Sequence, residues 1–274
     1  MADGDTRAML RFLGDTPGEA LYHTSMPERS RLDEDVREVA IHDARMISAS
    51  IEREGFALHP HPLPAIDFMD EAQRNGPYLA AVQTRIAAAL GADRVICDLS
   101  VMRLPGGATT QIPLMHVHSD FTAETARMLM ADSRDRAIED PAQADADHAR
   151  IMATRWSRTL CIHAWRVLSP PPHDRPLAVC DVRSVAPEDV RAGEFIEDYG
   201  ENGTYRAELR LLRHAPKQAW WSYRDMVPDE LLLFLGHDYA GRDGCFHAAF
   251  HDPACPPGTP GRASIETRTF AFFA

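Results

Sequence analysis

The sequence has few cysteines, and none of them is arranged for cross-linking. Its five cysteines, in 274 residues, are widely spaced and contain no Cys-x-x-Cys pair. This spacing argues against both a disulfide framework and a zinc knuckle, so we expect free and mostly buried thiols. Internal repeats and low-complexity tracts are absent as well.

Basic clusters and long apolar runs are also missing. The formal charge is −12, from 29 basic and 41 acidic residues, and no block of Lys or Arg stands out. This balance disfavours nucleic acid and anionic membranes and leaves a small molecule as the expected ligand. No run approaches the roughly eighteen apolar residues of a membrane helix, and the acidic start lacks a signal segment. We therefore expect a cytoplasmic protein.

What the sequence does contain is a series of short apolar segments separated by Pro and Gly. Strands are predicted at 95–103, 159–168, 176–182, 219–223, 230–236, 245–250 and 263–273. Many short strands behind a helical first third predict a mainly β fold with flanking helices (α+β) and a jelly-roll or cupin-like core. The length suits one domain over residues 1–274.

Helices are predicted before this core and within it. In the helical or irregular part, residues 1–94, the apolar spacing predicts helices at 32–54, ending at Gly55, and at 78–90, ending at Gly91. The jelly-roll core follows over 95–274, with a helical insertion at about 123–156. That insertion is either a lid over the site or a solvated crossover.

The stretch from Pro113 to Thr122 carries the candidate metal ligands. On an extended strand His116, His118 and Asp120 share one face. A His-x-Asp pair offers two ligands to a non-haem Fe(II) ion, which then needs one more histidine. His247, in a later strand, is the candidate third ligand. His116 is a partner of the ligands, a substrate contact or a competing ligand.

The last predicted strand carries the candidate anchors for an acidic co-substrate. Arg262, Ser264, Glu266 and Arg268 lie on one face of it. A guanidinium beside a hydroxyl suits the distal carboxylate of a 2-oxo acid, which makes Arg262 with Ser264 one anchor and Arg268 its rival. Two further arginines lie near site-bearing strands and are candidate substrate contacts: Arg103 and Arg166.

Six segments resemble the CmcJ/asaB-type family of Fe(II)/2-oxoglutarate-dependent oxygenases. The likeness runs from about Gly55 onward and is carried by His118-Ser119-Asp120, Trp165-Arg166, Pro176 to Asp181, Met226 to Glu230, His247 to Phe250 and Arg262 to Arg268. The resemblance implies a double-stranded β-helix, iron ligands His118, Asp120 and His247, and a 2-oxoglutarate clamp at Arg262 and Ser264. It also implies Fe(II), 2-oxoglutarate and O2 as cofactors, with ascorbate in vitro.

By the same resemblance, the expected reaction is hydroxylation or desaturation of a small-molecule secondary metabolite, with release of succinate and CO2. One alternative is a cupin-like metal protein in which His116 and His118 both bind and no 2-oxo acid is used. Another is a non-catalytic partner subunit of a biosynthetic enzyme. A homodimer or a partner biosynthetic enzyme is the predicted protein assembly.

Overall fold

Two packed β-sheets form the body of the protein in a computed structural model that describes residues 4–24, 26–105, 113–198 and 203–274. The strands in chain order are β1 (Thr6–Leu13), β2 (Ala20–His23), β3 (Glu34–Asp43), β4 (Phe56–Pro60), β5 (Arg94–Arg103), β6 (His118–Ser119), β7 (Arg158–Val167), β8 (Leu177–Cys180), β9 (Val190–Asp198), β10 (Thr204–Leu212), β11 (Trp220–Ser222), β12 (Glu230–Asp238), β13 (Arg242–Asp243), β14 (His247–Ala249) and β15 (Ser264–Phe273). The α-helices are α1 (Glu71–Gln73), α2 (Leu79–Leu90), α3 (Ala123–Asp132) and α4 (Pro141–Ala153).

The larger sheet has nine strands in the order β1-β3-β11-β8-β14-β6-β10-β9-β2. The smaller sheet has six, in the order β13-β12-β7-β15-β5, with β4 paired to β12. Sequence neighbours are often not sheet neighbours in the larger sheet, so β6 and β14 lie side by side although about 130 residues separate them. This pairing assembles the site described below.

Helix α2 covers one face of the smaller sheet. Its buried residues Leu79 and Ile86 share a hydrophobic cluster with Leu233 of β12. Phe234, the next residue of β12, belongs instead to a cluster with Trp165 on the other face. Because successive strand residues point to opposite faces, β12 is buried on both sides, which explains its continuous apolar sequence.

The predicted helix over 32–54 is wrong. Residues Glu34–Asp43 form β3, which pairs antiparallel with the whole of β1, from Thr6 opposite Ile41 to Leu13 opposite Glu34. Val39 and Ile41 are buried two residues apart, the strand period, and β-branched side chains suit a strand. The described part of residues 1–94 therefore supplies four complete strands to the two sheets as well as helices α1 and α2, and is less helical than expected.

Other local predictions are confirmed. Helix α2 ends at Gly91, which has φ +69° as a left-handed cap requires. The insertion at 123–156 is helical and consists of α3 and α4. All five cysteines are free, and four of them are buried. Within the described ranges, no helix combines the length and apolarity needed to cross a bilayer.

Candidate metal centre and adjoining pocket

Two histidines from neighbouring strands face each other at the centre of the larger sheet. His118 of β6 is the register partner of His247 of β14, and their ring centroids lie 4.4 Å apart. Asp120 follows β6 directly, and its Oδ1 lies 3.2 Å from His118 Nε2 and 3.7 Å from His247 Nε2. One ligand atom from each of the three residues lies within 4.8 Å of the others. The spacing is that of a group that can hold one metal ion.

Backbone carbonyls fix which ring nitrogens face this group. His118 Nδ1 lies 2.7 Å from the His116 carbonyl oxygen, and His247 Nδ1 lies 3.2 Å from the Cys245 carbonyl oxygen. A neutral imidazole that donates from Nδ1 leaves the Nε2 lone pair free for a metal. Both histidines thus use a carbonyl two residues upstream to present Nε2 toward Asp120.

The electrostatics of the cluster favour an anionic carboxylate beside a neutral imidazole. Burial, together with the neighbouring His118, lowers the pKa of His247 to about 4. Burial by itself raises the pKa of Asp120, but His163, His118 and His247 outweigh it and hold that pKa well below its usual value. Two imidazoles and one carboxylate with open positions are the ligand set of non-haem Fe(II) oxygenases.

The smaller sheet adds His163 and Glu266, which the sequence prediction did not place at the metal. His163 of β7 lies with Nε2 3.4 Å from Asp120 Oδ2 and Nδ1 3.0 Å from Glu266 Oε1. Burial lowers the pKa of His163, but the two carboxylates more than offset this and raise it. His163 and Trp165 are two residues apart on one strand, so their side chains point to the same face. This spacing was the feature of the sequence that could have identified His163.

Arg262 lies beside the cluster without an ion-pair partner in the described residues. The side chain is 4 % exposed, its guanidinium stacks over the Trp165 ring at 4.8 Å, and its Nε and Nη1 make no hydrogen bond there. Burial, and then the nearby Arg103, lower its pKa to about 9. Ser264 Oγ is likewise buried, with no hydrogen-bond partner in the part of the chain that the structure describes. These are the groups that an incoming carboxylate would satisfy.

The rival anchor, Arg268, already has a counter-charge. Its Nε donates to Asp98 Oδ2 at 2.7 Å, and a second guanidinium nitrogen contacts the same oxygen. The guanidinium also lies over the Phe121 ring at 5.7 Å. Because the carboxylate of Asp98 occupies this fork, Arg262 is the better placed of the two for a new anion.

Two cavities meet at the cluster. One adjoins Arg262 and is lined by Arg103, Pro113, Leu114, His118, Asp120, Trp165, Leu177, His247, Ala249, Arg262 and Glu266. The other is larger and more apolar, and is lined by Leu99, Val101, Arg103, Leu114, His118, Asp120, Phe121, His163, Phe195, Glu197, Tyr205, Ala207, Leu209, Glu266 and Arg268. His118 and Asp120 border both, so a co-substrate and a substrate can approach one metal from two sides.

The two candidate substrate arginines, Arg103 and Arg166, differ in their position relative to the cavities. Arg103 lines both cavities, and its contact with a substrate stays a prediction. Arg166 points away from the cluster, packs over the Tyr78 ring at 5.8 Å and bonds to His61 and the Pro228 carbonyl, so its assignment to the pocket is wrong. The cause is strand alternation, since Trp165 takes the inward direction.

His116 does not join the ligand face. It lies before β6 on a single bridge to Arg11, its ring is 5.8 Å from the Tyr22 ring, and it belongs to neither metal-capable group of the described residues. Burial lowers its pKa to about 4. The structure therefore does not support a ligand set that pairs His116 with His118. His116 contributes its backbone carbonyl to the site, and not its ring.

The helical insertion borders neither of the two cavities in the described part of the chain. Ala126 and Ile151 pack with Phe272 in a separate cluster. Arg94 of β5 joins the insertion through Asp135 at 2.5 Å and Asp147 at 2.7 Å. These contacts favour the crossover interpretation over the lid.

The two-sheet core and the His-Asp-His group define a jelly-roll protein with a candidate mononuclear metal site. Residues 10–272 match a family model described as "Oxidoreductase/YMDC permease-like domain", and the chain belongs to that family. The match begins well before Gly55, where the resemblance was expected to start.

Curated relatives carry the names that the resemblance predicted. The hydroxylase/desaturase efuI of Hormonema carpetanum is 35% identical over 178 residues, covering 60% of this chain and 54% of efuI. The hydroxylase/desaturase asaB of Aspergillus flavus is 34% identical over 143 residues, 47% of this chain and 60% of asaB. The chain thus spans little more than half of either. The Fe(II)/2-oxoglutarate-dependent dioxygenase nvfI of Aspergillus novofumigatus is 27% identical over 98% of this chain and 87% of its own length.

The fold is shared with a solved oxygenase. The iron and alpha-ketoglutarate-dependent endoperoxidase NvfI superposes with a TM-score of 0.79 at 24% identity, covering 100% of both chains. A second structure of NvfI, in a different conformation, gives a TM-score of 0.80 over 98% of both chains. The predicted jelly-roll fold is therefore confirmed.

Proposed function

We propose that the protein is an Fe(II)- and 2-oxoglutarate-dependent oxygenase that oxidises a small-molecule secondary metabolite by hydroxylation or desaturation. The observation that carries this is the convergence of His118 Nε2, His247 Nε2 and Asp120 Oδ1 beside a buried guanidinium that lacks a partner in the described residues. The relatives named hydroxylase/desaturase and dioxygenase support it.

In this proposal His118, Asp120 and His247 hold Fe(II). Arg262 and Ser264 bind the distal carboxylate of 2-oxoglutarate, because both have buried polar atoms without a partner in the part of the chain that the structure describes. Bound Fe(II), 2-oxoglutarate and O2 supply oxidation of a substrate C–H bond, coupled to decarboxylation of 2-oxoglutarate to succinate and CO2. The apolar cavity holds the substrate and excludes water, and Phe121 and Arg103 form part of its wall.

Substrate placement, and not the ligand set, would decide whether the product is hydroxylated, desaturated or an endoperoxide. The homodimer, the partner biosynthetic enzyme and the cytoplasmic location stay predictions from the sequence.

The test is anaerobic addition of Fe(II) and then 2-oxoglutarate, followed by visible spectroscopy. A weak charge-transfer band of the chelated keto acid is expected, and iron-dependent succinate release should follow on admitting air with ascorbate. His118→Ala and Asp120→Ala should each abolish the band. His251→Ala is the matched control, because His251 is an exposed histidine four residues beyond His247. No band in the wild-type protein at millimolar 2-oxoglutarate would contradict the proposal.

A further inference from the structure

His163 is held in a fixed orientation between two carboxylates. It lies in the smaller sheet, opposite the strands that carry His118 and His247, and is 1 % exposed. Its ring is stacked between Phe121, at 5.4 Å and 20°, and Phe234, at 4.9 Å and 18°. On the β12 side the chain has Gly236, where a Cβ atom would lie 2.7 Å from His163 Nε2. The ring therefore has little freedom to turn.

The two oxygens of Asp120 face different partners. Oδ1 points to the Nε2 atoms of His118 and His247, whereas Oδ2 lies 3.4 Å from His163 Nε2. His163 Nε2 makes no hydrogen bond in the described residues, but its approach to Oδ2 favours metal ligation through Oδ1 alone. One-oxygen ligation matters here because a 2-oxo acid takes two positions on the ion and O2 needs a third.

We propose that His163 and Glu266 are a positioning pair that restricts Asp120 to one-oxygen ligation and so keeps a coordination position open for the co-substrate. This inference rests on the proposed function. Glu266 Oε1, 3.0 Å from His163 Nδ1, holds the far side of the ring, so that Nε2 stays directed at Asp120. Groups that orient a ligand in this way contribute to metal affinity without touching the metal.

A second metal ion is the competing interpretation. Asp120, His163 and Glu266 also form a group whose ligand atoms lie within 4.8 Å of one another, with Asp120 shared by both groups. The ring orientation argues against it, because Nδ1 faces Glu266 and Nε2 faces Asp120. A metal ligand would need one nitrogen that faces both carboxylates.

The experiment is anaerobic Fe(II) titration of four variants of the whole chain, with metal-to-protein stoichiometry and the 2-oxoglutarate charge-transfer band as readouts. His163→Leu should weaken Fe(II) binding by about 10- to 100-fold and reduce the band at saturating Fe(II). His163→Gln keeps an N–H donor toward Asp120 and should recover part of both. Glu266→Gln should move both readouts in the same direction by less. His173→Gln is the control, because His173 is a buried histidine that bonds to the Met226 carbonyl instead.

Wild-type affinity and an unchanged band in His163→Leu would overturn the inference while leaving the proposed function intact. Two Fe(II) ions per wild-type chain, falling to one in His163→Leu, would overturn it in favour of the second metal site. If His163→Leu does not fold, wild-type behaviour of both His163→Gln and Glu266→Gln would overturn it equally. A wild-type protein that binds no Fe(II) would instead refute the proposed function itself.

Discussion

Replacing Arg262 by methionine should separate co-substrate binding from iron binding. The guanidinium is buried, its Nε and Nη1 have no partner in the described residues, and burial together with Arg103 lowers its pKa to about 9. Methionine is unbranched and apolar, so it fills the part of the site nearest the backbone while removing the charge and the guanidinium that lies over Trp165. The variant therefore deletes the proposed carboxylate partner without creating a large cavity.

The magnitude follows from the burial of the site. Removing one partner of a buried, hydrogen-bonded charge pair costs about 2–5 kcal/mol. At about 1.4 kcal/mol per factor of ten, the Kd of 2-oxoglutarate should rise about 30- to 4000-fold. The Kd of Fe(II) should change little, since Arg262 is not part of the ligand group. The ligand-free protein should be as stable as wild type or more stable, because the substitution removes a buried cation that has no ion-pair partner in the described chain.

Two measurements check this prediction. Anaerobic titration of the charge-transfer band gives the Kd of 2-oxoglutarate at saturating Fe(II), and calorimetry gives the Tm with and without the co-substrate. The matched pair Arg262→Lys and Arg268→Lys keeps the charge and removes the fork at each position, and only Arg262→Lys should weaken 2-oxoglutarate binding. A larger loss in Arg268→Lys would refute the reasoning, since Arg268 is bonded to Asp98.

Three further predictions concern stability. Gly236→Ala would place a Cβ atom 2.7 Å from His163 Nε2 and should lower the free energy of unfolding by about 1–3 kcal/mol, so an unchanged urea midpoint would contradict the packing described. Arg94→Ala leaves buried Asp135 without its cation and should lower the free energy of unfolding by about 3 kcal/mol in the same assay. A loss below about 1 kcal/mol would show that the ion pair is dispensable. Burial and a nearby guanidinium lower the pKa of His61 from 6.5 to about 4, so the unfolded chain binds more protons between these values. Stability should therefore fall as the pH drops from 6.5 toward 4, and urea unfolding at pH 7 and pH 5 should show a smaller difference in His61→Gln.

Short-range chemistry decided much of the local structure. The apolar spacing and the left-handed glycine at its end were enough to place α2 and Gly91. The positions of most strands from β5 onward could be predicted from the turns, Pro and Gly that separate the apolar segments. Strand alternation also put Ser264, Glu266 and Arg268 on one face, because that period is a property of the backbone. Each of these features depends on neighbours within about one turn or one strand.

Longer-range contacts decided the rest. Residues 34–43 have a helix-like spacing, yet they are a strand because β1 offers an antiparallel partner. Likewise, no local pattern could show that His116 supplies a carbonyl to His118 while its ring packs on Tyr22.

Arg262 and Arg268 show most clearly the difference between what local sequence predicts and what depends on the folded sheets. Strand spacing alone is enough to predict that Arg262 and Arg268 lie near one face of the last strand, with a hydroxyl beside the first. Tertiary contacts bring Asp98 from β5 against Arg268, whereas Arg262 lies over Trp165 and has no carboxylate paired with it among the described residues. Sheet pairing sets which carboxylate reaches which guanidinium. The partner of a charged side chain is therefore a property of the assembled sheets and cannot be read from its own strand.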